Sequence, residues 1–337
     1  MAQIYRYEKP FELECGEVLP SLEIAYDTFG EMNPDKSNVI WVCHALTANS
    51  DVADWWPHTV EKGCFLDPEK YFTVCANFLG SHYGTTGPLS INPATDEPWY
   101  GDFPKITVRD MVHAHQLLAM HLGIERVKLL IGSSIGGFQC LEWSIMQPDF
   151  AERAAFIATT PSTKPWAAAF NESQRMAIEN DATFGERNAE AGLNGMAVAR
   201  SIALMSYRGG MAYDKTQEDE NADEAGFVRR VHSYQRYQGE KLRRRFNAYS
   251  YYRLSQAVDS HNLARGRGRL EEVLRGIKAK SLVVAITSDI LFPPEDHKLL
   301  IENIPDVEYH LIDSDFGHDG FLVEHKQLNE IILDFLK

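Results

Sequence analysis

The chain has 337 residues, 44% hydrophobic and 24% charged, enough for one large domain or two ordinary ones around a sizeable core. Its formal net charge of −15 excludes a broad nucleic-acid or anionic-membrane surface, although a local basic pocket for a small anion remains compatible with it. The five cysteines are an odd, scattered set without metal-site spacing, and no run of 18 apolar residues occurs; a cytoplasmic protein is expected, with reduced thiols, no signal peptide and no membrane span.

In chain order, residues 22–30 alternate like an edge strand ending at a turn. Residues 39–46 (VIWVCHAL) form a short continuous apolar run, the pattern of a central strand covered on both faces, and 71–79 form another. A Gly/Pro-rich loop follows the second run to about Pro104, longer than a simple connection needs. Residues 107–122 carry apolar side chains at helical spacing, with Thr107 placed to cap the start and Gly123 to stop the helix. Next come an apolar run at 127–131, a glycine-rich turn, a helical segment at 139–147 ended by Pro148, and a small apolar strand at 154–160. This alternation predicts an α/β domain with a mostly parallel sheet.

After Pro161 the pattern changes. Residues 164–277 contain almost no strand-like run and read as helices at 165–180, 189–207, 226–237 and 239–259. The acidic block 218–220 and the basic block 243–245 read as solvated helix faces. Strand patterns resume at 281–288 and 307–312, and a helix at 328–336 closes the chain. The expected division is a core of 1–163 and 278–337, with 164–277 inserted as a helical lid.

The chemistry concentrates at Gly132-Ser133-Ser134-Ile135-Gly136, a G-x-S-x-G turn between a buried strand and a helix. The turn is tight enough to strain the serine, and a Cβ at Gly132 or Gly136 would strike neighbouring backbone. A serine hydroxyl needs a base within reach and a carboxylate to orient that base. In α/β-hydrolase folds these follow the serine as acid, then histidine. Asp289, directly after a strand, is the preferred acid over Asp296, Asp313 and Asp315; His318, in the loop after the last strand, is the preferred base. The Ile135 N–H at a helix start and the Leu46 N–H after an early strand are the expected oxyanion donors. His44 suits shaping that second loop better than moving protons.

Several segments carry a resemblance: Cys43-His44-Ala45-Leu46-Thr47, Tyr83-Gly84-Thr85-Thr86-Gly87-Pro88, Asp102-Phe103-Pro104, the Ser134 turn, Tyr207-Arg208, Ser288-Asp289 and Gly317-His318-Asp319-Gly320. The chain resembles the homoserine O-acetyltransferases of the α/β-hydrolase superfamily over nearly its whole length. The resemblance implies a ping-pong transfer of acetyl from acetyl-CoA, through an acyl-Ser134, to the hydroxyl of L-homoserine. By the same resemblance Arg200 binds the amino acid's carboxylate, Tyr207 lines its pocket and Asp319 meets its ammonium. It also implies a homodimer and neither metal nor bound cofactor. The stretches 48–50 and 81–82 depart from the family's usual residues and are expected beside the acyl pocket. A succinyl donor, a serine acceptor and a simple esterase remain open alternatives.

Overall fold

In a computed structural model, which describes residues 2–220 and 227–337, the apolar runs become the centre of one eight-stranded sheet. Its strands are β1 (Gln3–Tyr7), β2 (Leu22–Phe29), β3 (Val39–Cys43), β4 (Phe72–Ala76), β5 (Val127–Ser133), β6 (Ala151–Ile157), β7 (Lys280–Ile286) and β8 (Val307–Ile312). The order is β1-β2-β4-β3-β5-β6-β7-β8, parallel from β4 onward, with β1 and β2 antiparallel at one side. The family of α/β sheets to which this belongs is the one its strand pattern predicts.

Burial on both faces explains the continuous runs. In β3, Val39, Trp41 and Cys43 join one apolar cluster while Ile40 and Val42 join another across the sheet. On the first side lie α1 (Val108–His121) and α2 (Ile135–Met146); on the second lies α7 (His325–Phe335), through Leu328, Ile332 and Phe335. Trp41 meets the edge of Trp143 at 5.1 Å between ring centres, and truncating a buried tryptophan of this kind typically costs about 3–5 kcal/mol. Thr107 caps α1 as its sequence predicts. Asp110 completes a capping box by accepting the Thr107 N–H at 2.8 Å.

Residues 22–30 are not an edge: β2 is paired on both sides, and the edge is β1, whose exposed, alternating QIYRY offers no buried run to notice. Between β6 and β7 the named elements are all helical: α3 (Pro165–Glu179), α4 (Leu193–Gln217), α5 (Arg230–Arg243), α6 (Ala248–Asp259) and a short turn of helix at Leu270–Leu274. Several boundaries differ from the sequence reading: α4 starts at Leu193 rather than at 189, the expected helix at 239–259 is broken between Arg243 and Ala248, and two further differences turn on glycines. Helix α5 runs through Gly239 instead of breaking there, because a Cβ at that position would lie 2.6 Å from the Ala197 carbonyl oxygen; the glycine allows helix contact, not a stop. Helix α4 continues past Tyr207 to Gln217 by kinking at Gly209, at φ 66°. The expected helix start at Gly226 lies outside the described residues.

Candidate active site

Strand β5 delivers its last residue, Ser133, directly to Ser134, and α2 begins at Ile135. Ser134 has φ 56° and ψ −125°, a backbone state that costs about 1–3 kcal/mol outside a structure built to hold it. The hold is visible: the Ser134 N–H donates to the Ile157 carbonyl at 3.0 Å, and its own carbonyl accepts from Thr159 Oγ1 at 3.0 Å. A Cβ at Gly132 would lie 2.4 Å from the Gly136 carbonyl group, and one at Gly136 would lie 2.1 Å from the Cys43 carbonyl oxygen. Both glycines are therefore required by contact.

Asp289 follows β7 and is buried. Its Oδ1 accepts the N–H groups of Leu291 at 2.8 Å and Phe292 at 2.9 Å, which fixes the carboxylate. Its Oδ2 lies 2.7 Å from His318 Nδ1. That contact sets the imidazole's orientation and leaves Nε2 as the ring's other polar atom, buried and without a protein partner among the described residues. Burial alone would lower the pKa of His318; the Asp289 charge and hydrogen bond, with Asp319 nearby, more than reverse this and leave it raised above 6.5. The competing acids are elsewhere: Asp296 pairs with Lys164 and Asp315 with Lys215, while Asp313 Oδ1 accepts from Thr287.

One cavity of about 390 Å³ is lined by Ser134 and His318 together with Leu46, Arg200, Tyr207 and Asp319. A small cleft of about 20 Å³ beside it is lined by Ser134, Ile135, Leu46 and Tyr207, with Phe138, Leu291 and Phe292. Every predicted site residue thus lines one of the two spaces except Asp289, which stands behind His318. Neither the Leu46 N–H nor the Ile135 N–H has an acceptor among the described hydrogen bonds. His44 is buried and joined through Nδ1 to the Ala45 carbonyl oxygen at 2.8 Å. Burial lowers its pKa to about 4, so it stays neutral and shapes the loop.

Arg200 stacks over the Tyr207 ring at 5.6 Å, and that ring lies 5.9 Å from His318. Asp319 Oδ2 lies 3.3 Å from Arg208 Nε. Burial raises the pKa of Asp319, while Arg200, Arg208 and His318 oppose the rise. The α4 kink makes this possible: a Cβ at Gly317 would lie 2.8 Å from the Arg208 carbonyl carbon, so the kinked helix rests directly on the loop bearing His318. Of the departing stretches, Ala48 and Asn49 line the larger cavity, but Ser81 and His82 line neither space. His82 instead turns to Asn247, at 2.9 Å, where an aromatic and amide shell can bury it.

The α/β-hydrolase fold family matches residues 38–325. A homoserine O-acetyltransferase of Cyclobacterium marinum is 43% identical over 333 residues, covering 99% of this chain and 94% of that one. The chain belongs to the homoserine O-acetyltransferase family. Among solved structures, the homoserine O-acetyltransferase of Bacillus anthracis superposes with a TM-score of 0.91 at 24% identity, covering 100% of this chain and 98% of that one. An acetylester hydrolase from Corynebacterium glutamicum superposes with a TM-score of 0.88 at 22% identity, covering 100% and 96%. At those identities the two likenesses speak for the fold alone. Among the described residues no helix is long and apolar enough to cross a membrane, and no three His, Cys, Asp or Glu side chains are grouped to hold a metal ion.

Within this family member, three cations have no site role assigned from sequence: Arg208, Arg245 and the exposed Lys241 of α5, which also lines the cavity. Arg208 carried a motif resemblance but no role, and its pairing with Asp319 follows from the kink at Gly209. Arg245 belongs to the basic block expected on a solvated face; Arg243 and Arg244 do pair there with Glu240. Arg245 lies past the end of α5, where the chain turns inward, and it is half-buried in the cavity wall. No local signal distinguishes the third arginine of such a run from the first two.

Proposed function

We propose that this chain transfers an acetyl group from acetyl-CoA to the hydroxyl of L-homoserine through an acetyl-Ser134 intermediate. The observation that carries the reading is that one cavity offers Ser134, His318, Arg200 and Asp319 together. An esterase needs only the first two. A cation and an anion on separate elements suit the carboxylate and ammonium of an amino acid.

Ser134 Oγ attacks the thioester carbonyl and His318 Nε2 takes its proton, with Asp289 stabilising the imidazolium that results. The Leu46 and Ile135 N–H groups receive the oxyanion. Collapse of the intermediate breaks the C–S bond, and the proton passes from His318 to the departing thiolate. The homoserine hydroxyl then attacks the acetyl-enzyme, giving its proton to His318, which returns it to Ser134 Oγ as the ester leaves. Arg200 holds the carboxylate, Tyr207 backs that arginine, and Asp319, screened in the free enzyme by Arg208, takes the ammonium.

The small cleft favours acetyl over succinyl. Its lining is mostly apolar (Leu46, Ile135, Phe138, Ala167, Val258, Leu291 and Phe292), with Ser134, Asn171 and Tyr207 as its polar members and no basic side chain. A methyl fits such a place, whereas a carboxylate buried there would meet no counter-charge. We take residues 164–277 as a lid over the core and the protein as a cytoplasmic homodimer with no prosthetic group. Exposed Val198, Met205, Met211 and Tyr237 on α4 and α5 support a partner surface on the lid.

Mixing the protein with acetyl-CoA and L-homoserine is expected to yield O-acetyl-L-homoserine and free CoA in equal amounts, with succinyl-CoA and L-serine poor replacements. Acetate as the main product, released at the same rate without homoserine, would instead establish a hydrolase.

A further inference from the structure

We infer that Arg245 is a positioning residue that braces the loop after β3 from the helical segment, so that the Leu46 N–H is held toward the reacting carbonyl. The inference rests on the acyl-serine reading above and adds to it a residue that acts through Leu46.

The geometry is specific. Arg245 Nη1 donates to the Thr47 carbonyl oxygen and, at 2.8 Å, to Tyr83 Oη. Its Nη2 donates to Thr47 Oγ1 at 3.3 Å. Thr47 is the residue after Leu46. One planar fork therefore clamps a single loop residue through both its backbone and its side chain, and Tyr83 fixes the fork from a third direction. All three acceptors are neutral, and none of the ion pairs among the described residues involves Arg245. A surface arginine of an acidic protein commonly finds a carboxylate; this one spends its donors on a loop.

The loop needs that brace. Its inner end is fixed by the contact of His44 Nδ1 with the Ala45 carbonyl oxygen, and the Ala48 N–H donates to the same oxygen at 3.0 Å, closing a turn with Leu46 and Thr47 at its two central positions. Its outer end is fixed by Trp55 Nε1 donating to the Asn49 carbonyl oxygen at 2.9 Å. Between them, the Thr47 carbonyl and hydroxyl oxygens are held by Arg245, reaching across 198 positions of sequence. An oxyanion donor must sit within about 0.5 Å of its working place. The turn fixes the shape of Leu46–Thr47 but not its position over the cavity; without Arg245 it could swing between the two anchored ends and carry the Leu46 N–H away from the oxyanion of both half-reactions.

The test uses Arg245→Met and Tyr83→Phe with three acyl-transfer measurements: acetylation of Ser134 by acetyl-CoA, acetylation by p-nitrophenyl acetate, and transfer from acetyl-enzyme to homoserine. Loss of one oxyanion-hole donor costs about 10²–10³ in kcat, so misplacing it in Arg245→Met is expected to cost roughly 10- to 100-fold in each of the three. Tyr83→Phe should cost less, in the same three steps and in the same proportion. The KM for homoserine should stay near its original value, because Arg200 and Asp319 are untouched; a generally loosened lid would raise it. p-Nitrophenyl acetate has neither phosphates nor an amino-acid carboxylate. If Arg245→Met leaves its acylation rate intact and damages only the KM for acetyl-CoA or homoserine, Arg245 is a ligand contact and the inference is wrong. Should Arg245→Met fail to fold, Tyr83→Phe decides by the same comparison. Because p-nitrophenyl acetate acylates Ser134 whatever the natural donor, failure of the acetyl-CoA reading would appear separately, as a wild-type protein that accepts the ester but not the thioester.

Discussion

Asp289→Asn is expected to lower kcat for acetyl transfer by about 10⁴, the loss seen when the triad carboxylate of a serine protease is made neutral. The physical reason lies in the 2.7 Å contact between Asp289 Oδ2 and His318 Nδ1. An amide there can donate its N–H₂ to the imidazole, which favours the tautomer carrying its proton on Nε2, where the base must be free. The fold should survive, since Asp289 Oδ1 bonds two neighbouring N–H groups that an amide oxygen can still accept. The pH profile provides a second readout. As the proposed base, His318 must work unprotonated, and its pKa is raised, so wild-type activity should fall as pH drops through a value above about 6.5. Removing the Asp289 charge leaves burial as the dominant influence, so the remaining activity of Asp289→Asn should keep its plateau to lower pH. Steady-state kinetics across pH 5 to 9 checks both parts (a range chosen to bracket the ordinary histidine value of about 6.5). A crippled Asp296→Asn beside a mild Asp289→Asn would assign the acid elsewhere, against the surface pairing of Asp296 with Lys164.

Arg200→Lys should separate the two half-reactions. Homoserine must be held at both ends to bring its hydroxyl to the acetyl-enzyme, and such positioning can supply up to roughly 7–11 kcal/mol of a barrier. Lysine keeps the charge but loses the planar fork and the stacking on Tyr207. Single-turnover transfer from acetyl-enzyme to homoserine should therefore slow by about 10²-fold or more, on the scale of one misplaced substrate. Acetylation by acetyl-CoA, which involves no amino acid, should be much less affected. Equal damage to both steps would make Arg200 a support of the helical segment or a donor contact.

The residues that were legible in the sequence are those whose chemistry or packing is local. Trp41 and its neighbours announce a doubly covered strand because every position is apolar. Ser134 is marked by glycines that backbone contact demands, and Asp289 and His318 by their places just after strands. The edge strand β1 is hidden because exposure on one face leaves no continuous apolar run. Gly239 and Gly209 look alike as helix breakers, yet one admits a neighbouring helix and the other bends α4 onto Gly317. That difference is set by Ala197, which lies against Gly239, and by Ser288 and Gly317, which lie against Gly209; each is distant in sequence from the glycine it meets. The same holds for Arg245: its partners are Thr47 and Tyr83, and nothing near it along the chain names them. Arg200 and Asp319 entered only through resemblance, since a helix arginine and a loop aspartate carry no signal of facing one cavity.

The covalent intermediate can be tested most directly by mass. Protein incubated with acetyl-CoA in the absence of homoserine should gain one acetyl group, mapped by peptide fragmentation to Ser134, and should lose it as O-acetyl-L-homoserine when homoserine is added. Rapid acetyl transfer with no label on Ser134 at any time, or a label on Ser134 that homoserine cannot discharge, would contradict the account.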